Sequence, residues 1–274
     1  MIVATSDLAS RLAEADVALW TSWMAAVRDL PGNRYGIEVS TRFPLTSLHV
    51  REIPIPYYNR VLGITPASVE EACEMIDGFR ERFTPCRIDV NPFYSSPGLL
   101  TGLNSSGFHP SEFQTNLWGD PTGTEPIVIP GVTVREVRRG ELDFFARLYE
   151  RAYNGERAPC RLRRFRMDSI KARYEHPDWR FYLTLADGVP AGGGALHIAD
   201  GVASLSGGAT MFTLRGRGCQ LALLNKRLLD AAEARCELVV SRCVVGSVSQ
   251  RNMERAGLQT AYTKSIWEPR LLAA

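Results

Sequence analysis

The chain is poor in the side chains that hold soft metals. It has four histidines and six cysteines in 274 residues. None of Cys73, Cys86, Cys160, Cys219, Cys236 and Cys243 forms a CxxC pair, and no Cys/His cluster has zinc spacing, so a zinc module is excluded and no metal is expected. The cysteines read as reduced thiols of a cytoplasmic protein, most of them small buried apolar groups. No apolar run approaches the roughly 20 residues of a membrane span. The first residues lack a basic segment before an apolar block, and Asp7, Glu14 and Asp16 interrupt them, which argues against a signal peptide. Charge of neither sign dominates. The formal net charge of +2 is too mild to call for nucleic acid. There is no Gly-Lys-Ser/Thr phosphate loop and no GxGxxG fingerprint.

What is present is an ordinary globular composition, 45% hydrophobic and 23% charged, long enough for two modest domains. Residues 119–131, GDPTGTEPIVIPG, concentrate proline and glycine and read as a linker. Beyond it, 132–137 reads as a strand. Gly140 to Asn154 carries Leu142, Phe145, Leu148 and Tyr149 at helical spacing. Three strands follow, joined by turns at Asp187-Gly188 and Asp200-Gly201, a strong hairpin signal. A helix is expected from the glycine-arginine turn to about Arg235, then a buried strand over 237–245. Ser247 and Gln250 form a capping-box pattern, Gly257 fits a helix stop, and a last strand runs from about Gln259 to Trp267.

The first half echoes the second. Cys86 to Gly107 and Cys236 to Gly257 are both 21 positions apart. Each is followed by an apolar residue, Phe108 or Leu258, and a strand reaching Trp118 or Trp267. A helix over Ser68 to Arg82 precedes the first copy. The order of elements predicts a structural duplication.

One stretch carries the chemistry: LRGRGCQLALLNKRLL, from Leu214 to Leu229. The first N–H groups of a helix lack internal partners and, with the helix dipole, attract anions, phosphate above all. Glycines permit a tight turn and close approach, and arginines add charge-assisted bonds. A strand, Arg215-Gly-Arg-Gly218 and a helix therefore make a plausible pyrophosphate cradle. The competing reading is a sharp turn with solvated arginines.

With its context, this stretch resembles the GCN5-related N-acetyltransferase (GNAT) superfamily, whose acetyl-CoA motif is Arg/Gln-x-x-Gly-x-Gly/Ala. Arg215 and Gly218 match it, and Gln220 departs from the last position. The resemblance covers 132–268, and residues 1–118 look like a degenerate copy without the Arg-Gly turn, as in a tandem GNAT protein. It implies an α/β (α+β) fold of two GNAT-like domains, each a mixed, mostly antiparallel central sheet flanked by helices. The expected division is an acceptor-side domain over 1–120, a linker over 121–131 and an acetyl-CoA-binding domain over 132–274. It also implies that backbone N–H groups of Arg215, Gly216, Arg217, Gly218, Cys219 and Gln220 hold the CoA pyrophosphate. The Gln220 side chain must then point away from the phosphates. Thr210, Met211 and Phe212 would pair with the pantetheine arm, and one N–H there would polarise the thioester carbonyl. The strand over 237–245 would splay away, and Ser249 and Asn252 would face the sulfur.

The family's usual acid, a tyrosine, is replaced by Met253, and Leu258 stands for the usual phenylalanine. Ser249, Cys243, Tyr262 or water could serve instead. No glutamate lies on the strand over 202–212. His197 could act as base through a water, or be structural. The basic stretch 156–173, with Arg157, Arg161, Arg163, Arg164, Arg166, Lys171 and Arg173, fits three readings: a CoA 3′-phosphate or acidic-substrate site, a nucleic-acid surface, or a solvated helix. It lacks the interleaved aromatics of a nucleic-acid surface. Trp20, Trp23, Tyr57, Tyr58, Phe93 and Tyr94 read as core or as walls of an acceptor pocket, with Tyr57 and Tyr58 as the substrate candidates.

The implied function is acyl transfer from acetyl-CoA to a small amine in a ternary complex, by a cytoplasmic monomer or homodimer with no nucleic-acid or membrane partner. A non-catalytic acyl-CoA sensor, or other acyl-CoA chemistry such as hydrolysis or decarboxylation, is the alternative.

Overall fold

The computed structural model describes residues 4–155 and 158–270. Two compact units emerge. One comprises the segment ending at Asn116, Arg242–Ser247 and the segment from Ala261; the other comprises Leu117–Ser241 and Val248–Thr260. Among the described residues, no helix is long and apolar enough to cross a membrane.

The first unit opens with α1 (Ser6–Arg28), capped by Thr5, whose hydroxyl accepts from Leu8 N–H at 3.2 Å. Strands β1 (Ile37–Arg42), β2 (Leu45–Val50) and β3 (Arg60–Leu62) follow as an antiparallel meander. Helix α2 (Val69–Glu81) then crosses over to β4 (Arg87–Val90), which is parallel to β3. Helix α3 (Pro97–Ser105) and β5 (Phe108–Gly119) come next. Ala72, Ile76 and Phe79 of α2 recur at helical spacing and are buried in one cluster with Ile88, Leu99 and Phe108.

The second unit repeats this order. Strands β6 (Val132–Glu136), β7 (Trp179–Ala186), β8 (Val189–Ala199) and β9 (Val202–Thr210) form an antiparallel series. Helices α4 (Leu142–Asn154) and α5 (Cys160–Tyr174) lie between β6 and β7 in sequence. Both Asp-Gly turns are tight hairpins, with φ of 49° and 76° at Asp187-Gly188 and 49° and 72° at Asp200-Gly201. Helix α6 (Cys219–Glu233) crosses over to β10 (Leu238–Val244), which is parallel to β9. Helix α7 (Val248–Arg255) and β11 (Gln259–Pro269) complete the chain order. The counterparts β3 and β9 differ in reach, at 3 and 9 residues.

The last strand does not stay with its own copy. From Ala261 onward β11 belongs to the first unit, where it pairs antiparallel with β4, Ile266 opposite Asp89. It brings Lys264, 3% exposed, into a buried ion network. Lys264 Nζ lies 2.7 Å from Asp89 and also pairs with Asp16. Arg60 Nη2 reaches both oxygens of Asp89 at 2.6 Å, its guanidinium 4.2 Å from the Trp20 ring, and Arg242 pairs with Asp16. Burial alone would raise both carboxyl pKa values. Arg60, Lys264 and Arg87 outweigh it at Asp89, and Arg242 and Lys264 at Asp16, so both titrate below the ordinary value of 3.8.

Removing one partner of such a network leaves an uncompensated buried charge. Lys264→Met is expected to cost about 3–5 kcal/mol in denaturant unfolding. The depressed carboxyl groups stabilise the fold fully above their unfolded value of 3.8, and that stability is lost as pH falls through the lower native values. Unfolding midpoints of the parent that decline already between pH 7 and pH 5 in step with carboxyl protonation would contradict this network.

Candidate functional site

The second unit has an irregular strand beside β8. Strand β9 pairs with β8 along its length, but the register slips at Gly207, so that Ser206 faces Ala195 and Gly208 faces Gly194. Gly207 has φ +58°, the signature of a bulge built on glycine. On its other edge β9 pairs with β10 only from Val202 to Ser204. Beyond that ladder, Gly207 and Gly208 are exposed. An exposed strand edge of this kind offers backbone groups to a ligand.

The bulge is held from both faces. From α6, Arg227, 2% exposed, donates through Nη1 to Gly207 O at 2.8 Å and Ala195 O at 3.1 Å, and through Nε to Leu223 O at 3.2 Å. Burial pulls its pKa down to about 10, so it stays a cation at neutral pH. The Tyr149 and Tyr182 phenols add to its surroundings. From α4, the Tyr149 hydroxyl touches Gly207 so closely that a Cβ there would collide with it. The run AGGGA in β8 has the same logic. A Cβ on Gly193 would meet Phe145 of α4, and one on Gly194 would lie 3.2 Å from Arg227 and Leu223 of α6.

The glycine-arginine turn follows a short 3₁₀ turn, Phe212–Leu214. Gly216 and Gly218 have φ of 80° and 79°, and Gly218 caps α6 in the left-handed conformation. Among the described residues, no backbone carbonyl accepts from the N–H of Gly216, Arg217 or Gly218. These donors, with the first N–H groups of α6, are what an anion site requires. Arg215 is exposed, stacks 5.4 Å over Phe212 and donates Nε to Thr210 O at 3.3 Å. Arg217 pairs with Asp187 at 2.8 Å. Gln220 Nε2 donates to Thr210 Oγ1 at 3.0 Å, so its side chain is turned toward β9. Cys219 is buried, and burial pushes its thiol pKa up. Met211 N–H is already given to Ala191 O at 2.7 Å. Gly216 faces open space, whereas a Cβ on Gly218 would sit 2.9 and 3.0 Å from Ile129 of the linker. Gly218 is thus required by packing as well as by its φ.

Of the other expected residues, Ser249 is exposed and Asn252 half-buried on α7, in the second unit. His197 is 2% exposed, packed 4.8 Å from the Trp179 ring, and burial pushes its pKa down to about 4. It is neutral at physiological pH. Tyr262, Tyr57, Tyr58 and Cys243 belong to the first unit. Tyr262 is buried against Phe93, and burial raises its phenol pKa. Tyr57 is 38% exposed, while Tyr58 is buried against it.

The basic stretch is tied to its neighbours. Arg163 and Arg166 flank the buried Glu150, Lys171 pairs with Asp143, and Arg173 lies buried 4.6 Å over Trp179. These contacts join α5 to α4 and β7. Arg157 lies outside the described residues.

Arg227 and Tyr149 are the site residues that motif reading passes over. Both carry a signal. Arg227 stands in the buried phase of α6 with Leu223, Leu224, Leu228 and Ala231, where a cation needs an explanation. Tyr149 follows Phe145 by four on α4, opposite a strand with two consecutive glycines.

No protein-family model and no curated protein sequence matches the chain. Solved structures do. A GCN5-related N-acetyltransferase from Kribbella flavida gives a TM-score of 0.63 at 20% identity, over 91% of this chain and 96% of its own. One from Sphaerobacter thermophilus gives 0.60 at 14%, over 89% and 84%. A tandem GNAT protein from the clavulanic acid biosynthesis pathway gives 0.59 at 16%, over 97% and 96%. The chain therefore has the GCN5-related N-acetyltransferase fold, mixed sheet strands flanked by helices.

The bulge makes a stability prediction. Gly207→Ala meets both a positive φ and the Tyr149 hydroxyl, and is expected to cost about 2–4 kcal/mol in chemical denaturation. A loss below about 0.5 kcal/mol would mean that the bulge is loosely held.

Proposed function

We propose that the protein is an acetyl-CoA-dependent N-acyltransferase that transfers the acyl group directly to a small amine in a ternary complex. The observation that carries this reading is the pairing, in one unit, of an open glycine turn at the start of α6 with an exposed bulged edge on β9. The likeness to acetyltransferase folds supports it at the level of fold.

In this reading the N–H groups of Gly216, Arg217, Gly218, Cys219 and Gln220 bind the pyrophosphate, and exposed Arg215 adds positive charge beside it. Gln220 interferes little, because its amide is committed to Thr210. The backbone of β9 past Ser204 runs beside the pantetheine arm and thioester, with the polarising donor toward Gly207–Gly208, since Met211 N–H is taken. Acetyl-CoA supplies the activated acyl group as a thioester. Asn252 and Ser249 of α7 are polar groups for the sulfur end. The first unit, whose β3 has only 3 residues and whose crossover lacks the Arg-Gly turn, serves the acceptor, with Tyr57 as one exposed aromatic for it.

Two observations favour a second reading, acyl-CoA binding without transfer. Met253 replaces the usual acid, and His197 is buried and neutral. Thiol release across an amine panel separates the two.

Isothermal calorimetry tests the shared premise. Gly216 faces open space, so Asp and Asn can be compared there at equal shape. Gly216→Asp is expected to weaken acetyl-CoA binding by about tenfold or more, and Gly216→Asn by much less. Equal affinities for the two variants would rule out a phosphate at this turn.

A further inference from the structure

In the first unit, β4 has two unlike faces. Ile88 and Val90 lie in the apolar cluster with α2 and α3. Arg87 and Asp89 alternate with them and join the buried ion network instead. Arg60 of β3 stands opposite Arg87 in the parallel ladder. Two buried guanidinium groups therefore lie side by side, and like charges so placed repel. The exposed Tyr57 ring is 6.0 Å from the Arg60 guanidinium carbon and 5.9 Å from that of Arg87. Both cations meet under one side chain that reaches solvent.

Two independent observations leave this cluster short of an anion. The first is charge. Its buried cations are Arg60, Arg87 and Lys264, and its buried carboxylates are Asp16 and Asp89. Half-buried Glu112 reaches Arg87 Nη2 at 3.0 Å from the rim, and shares that oxygen with Gln114 at 2.6 Å. Arg242 adds a further cation at Asp16. The second observation is hydrogen bonding. Nε of Arg60, Nε of Arg87, Nδ2 of Asn91 and Nε1 of Trp20 are buried donors that no protein oxygen meets. Asp89 Oδ1 is 3.8 Å from Arg87 Nε, beyond hydrogen-bond reach. Asn91 already gives its oxygen to the Phe93 N–H, so donors are what it has left. A buried donor without an acceptor is costly, and more so on a cation. Unmet donors and surplus positive charge call for the same partner. A carboxylate brings one negative charge, where a phosphate would bring more than the surplus.

We propose that the first unit binds a small carboxylate at the paired guanidinium groups of Arg60 and Arg87, entered beside Tyr57. The ligand's oxygens accept from the unmet N–H groups, and its charge balances the surplus cation. The donors are covered, so the Tyr57 ring turns aside on entry. Glu112 is the resident competitor at Arg87. Resting on the acyl-CoA reading above, the ligand is the acceptor, an amine that carries a carboxylate, of the amino acid class.

Calorimetry on the full chain without acetyl-CoA tests the site. The probes are the standard amino acids, the amide of each, and inorganic phosphate. At least one amino acid is expected to bind about tenfold or more tightly than its amide. Arg87→Gln should weaken that binding by about tenfold or more. Arg87→Lys, which keeps the charge and loses the planar fork, should fall between. Glu112→Gln should instead tighten binding, by about two- to fivefold, because a competing carboxylate is gone. That variant changes a half-buried group and covers the case in which Arg87→Gln does not fold. Acid and amide bound equally, phosphate bound more tightly than any amino acid, or no amino acid bound at all overturns the site. So does parental affinity in both Arg87→Lys and Glu112→Gln. Thiol release from acetyl-CoA then tests the acceptor class, with kcat/KM for the acid expected about tenfold or more above that for its amide. Release only with amines that lack a carboxylate overturns that class while leaving acyl transfer intact. Carboxylate binding without thiol release from any amine upholds the site and overturns acyl transfer.

Discussion

Arg227 donates to the carbonyls of Ala195 and Gly207 from the buried, mostly apolar face of α6, and those two bonds tie the helix to the sheet of the second unit. A bulge frees backbone carbonyls from the ladder, and a carbonyl left unpaired in the interior is costly. A guanidinium taken out of water is costly too. Each offsets the other. The consequence is coupling: the helix cannot shift along the sheet without exposing a charge, and the bulge cannot flatten without orphaning one. The glycines at 193, 194, 207 and 208 follow from this, since they let α4 and α6 approach the strands closely enough for side chains to reach the backbone.

The two units show one order of elements put to two uses. Both run a meander, a crossover helix, a parallel strand and a second helix. In the second unit the strand before the crossover is long, bulged and open at its edge. In the first it stops after Leu62, and the neighbouring strand carries Asp89 into a network of arginines and a lysine. Where one copy exposes backbone, the other fills its interior with paired charge. The contrast is between a strand kept available and a strand closed off.

Local periodicity made much of this legible. The Asp-Gly hairpins, the helix after Gly218, the helix before Gly257 and the final strand all stand where spacing and turn chemistry put them. So does the Arg-Gly turn, because glycine at positive φ before an amphipathic run is a short-range signal. The rest depends on long-range pairing. Nothing near His197 announces that Trp179 covers it, and nothing near Tyr262 says that it is buried in the first unit. The arginines of α5 read as a charged face, yet Glu150, itself buried, gathers two of them. Gly218 reads as a ligand glycine, although Ile129 also demands it. Tyr149 and Arg227 are ordinary stripe positions until the bulge between them is seen.

The placement of β11 governs how this molecule can be made. Asp16 and Asp89 leave a ribosome long before Lys264, which both of them need. During synthesis both carboxylates therefore lack Lys264, and one strand position of the first unit's sheet stays open, while β6 to α7 emerge. The first unit is complete only once the segment from Ala261 is in place. A cut in the linker would put Lys264 and the strand that pairs with β4 on a different piece from Asp16 and Asp89.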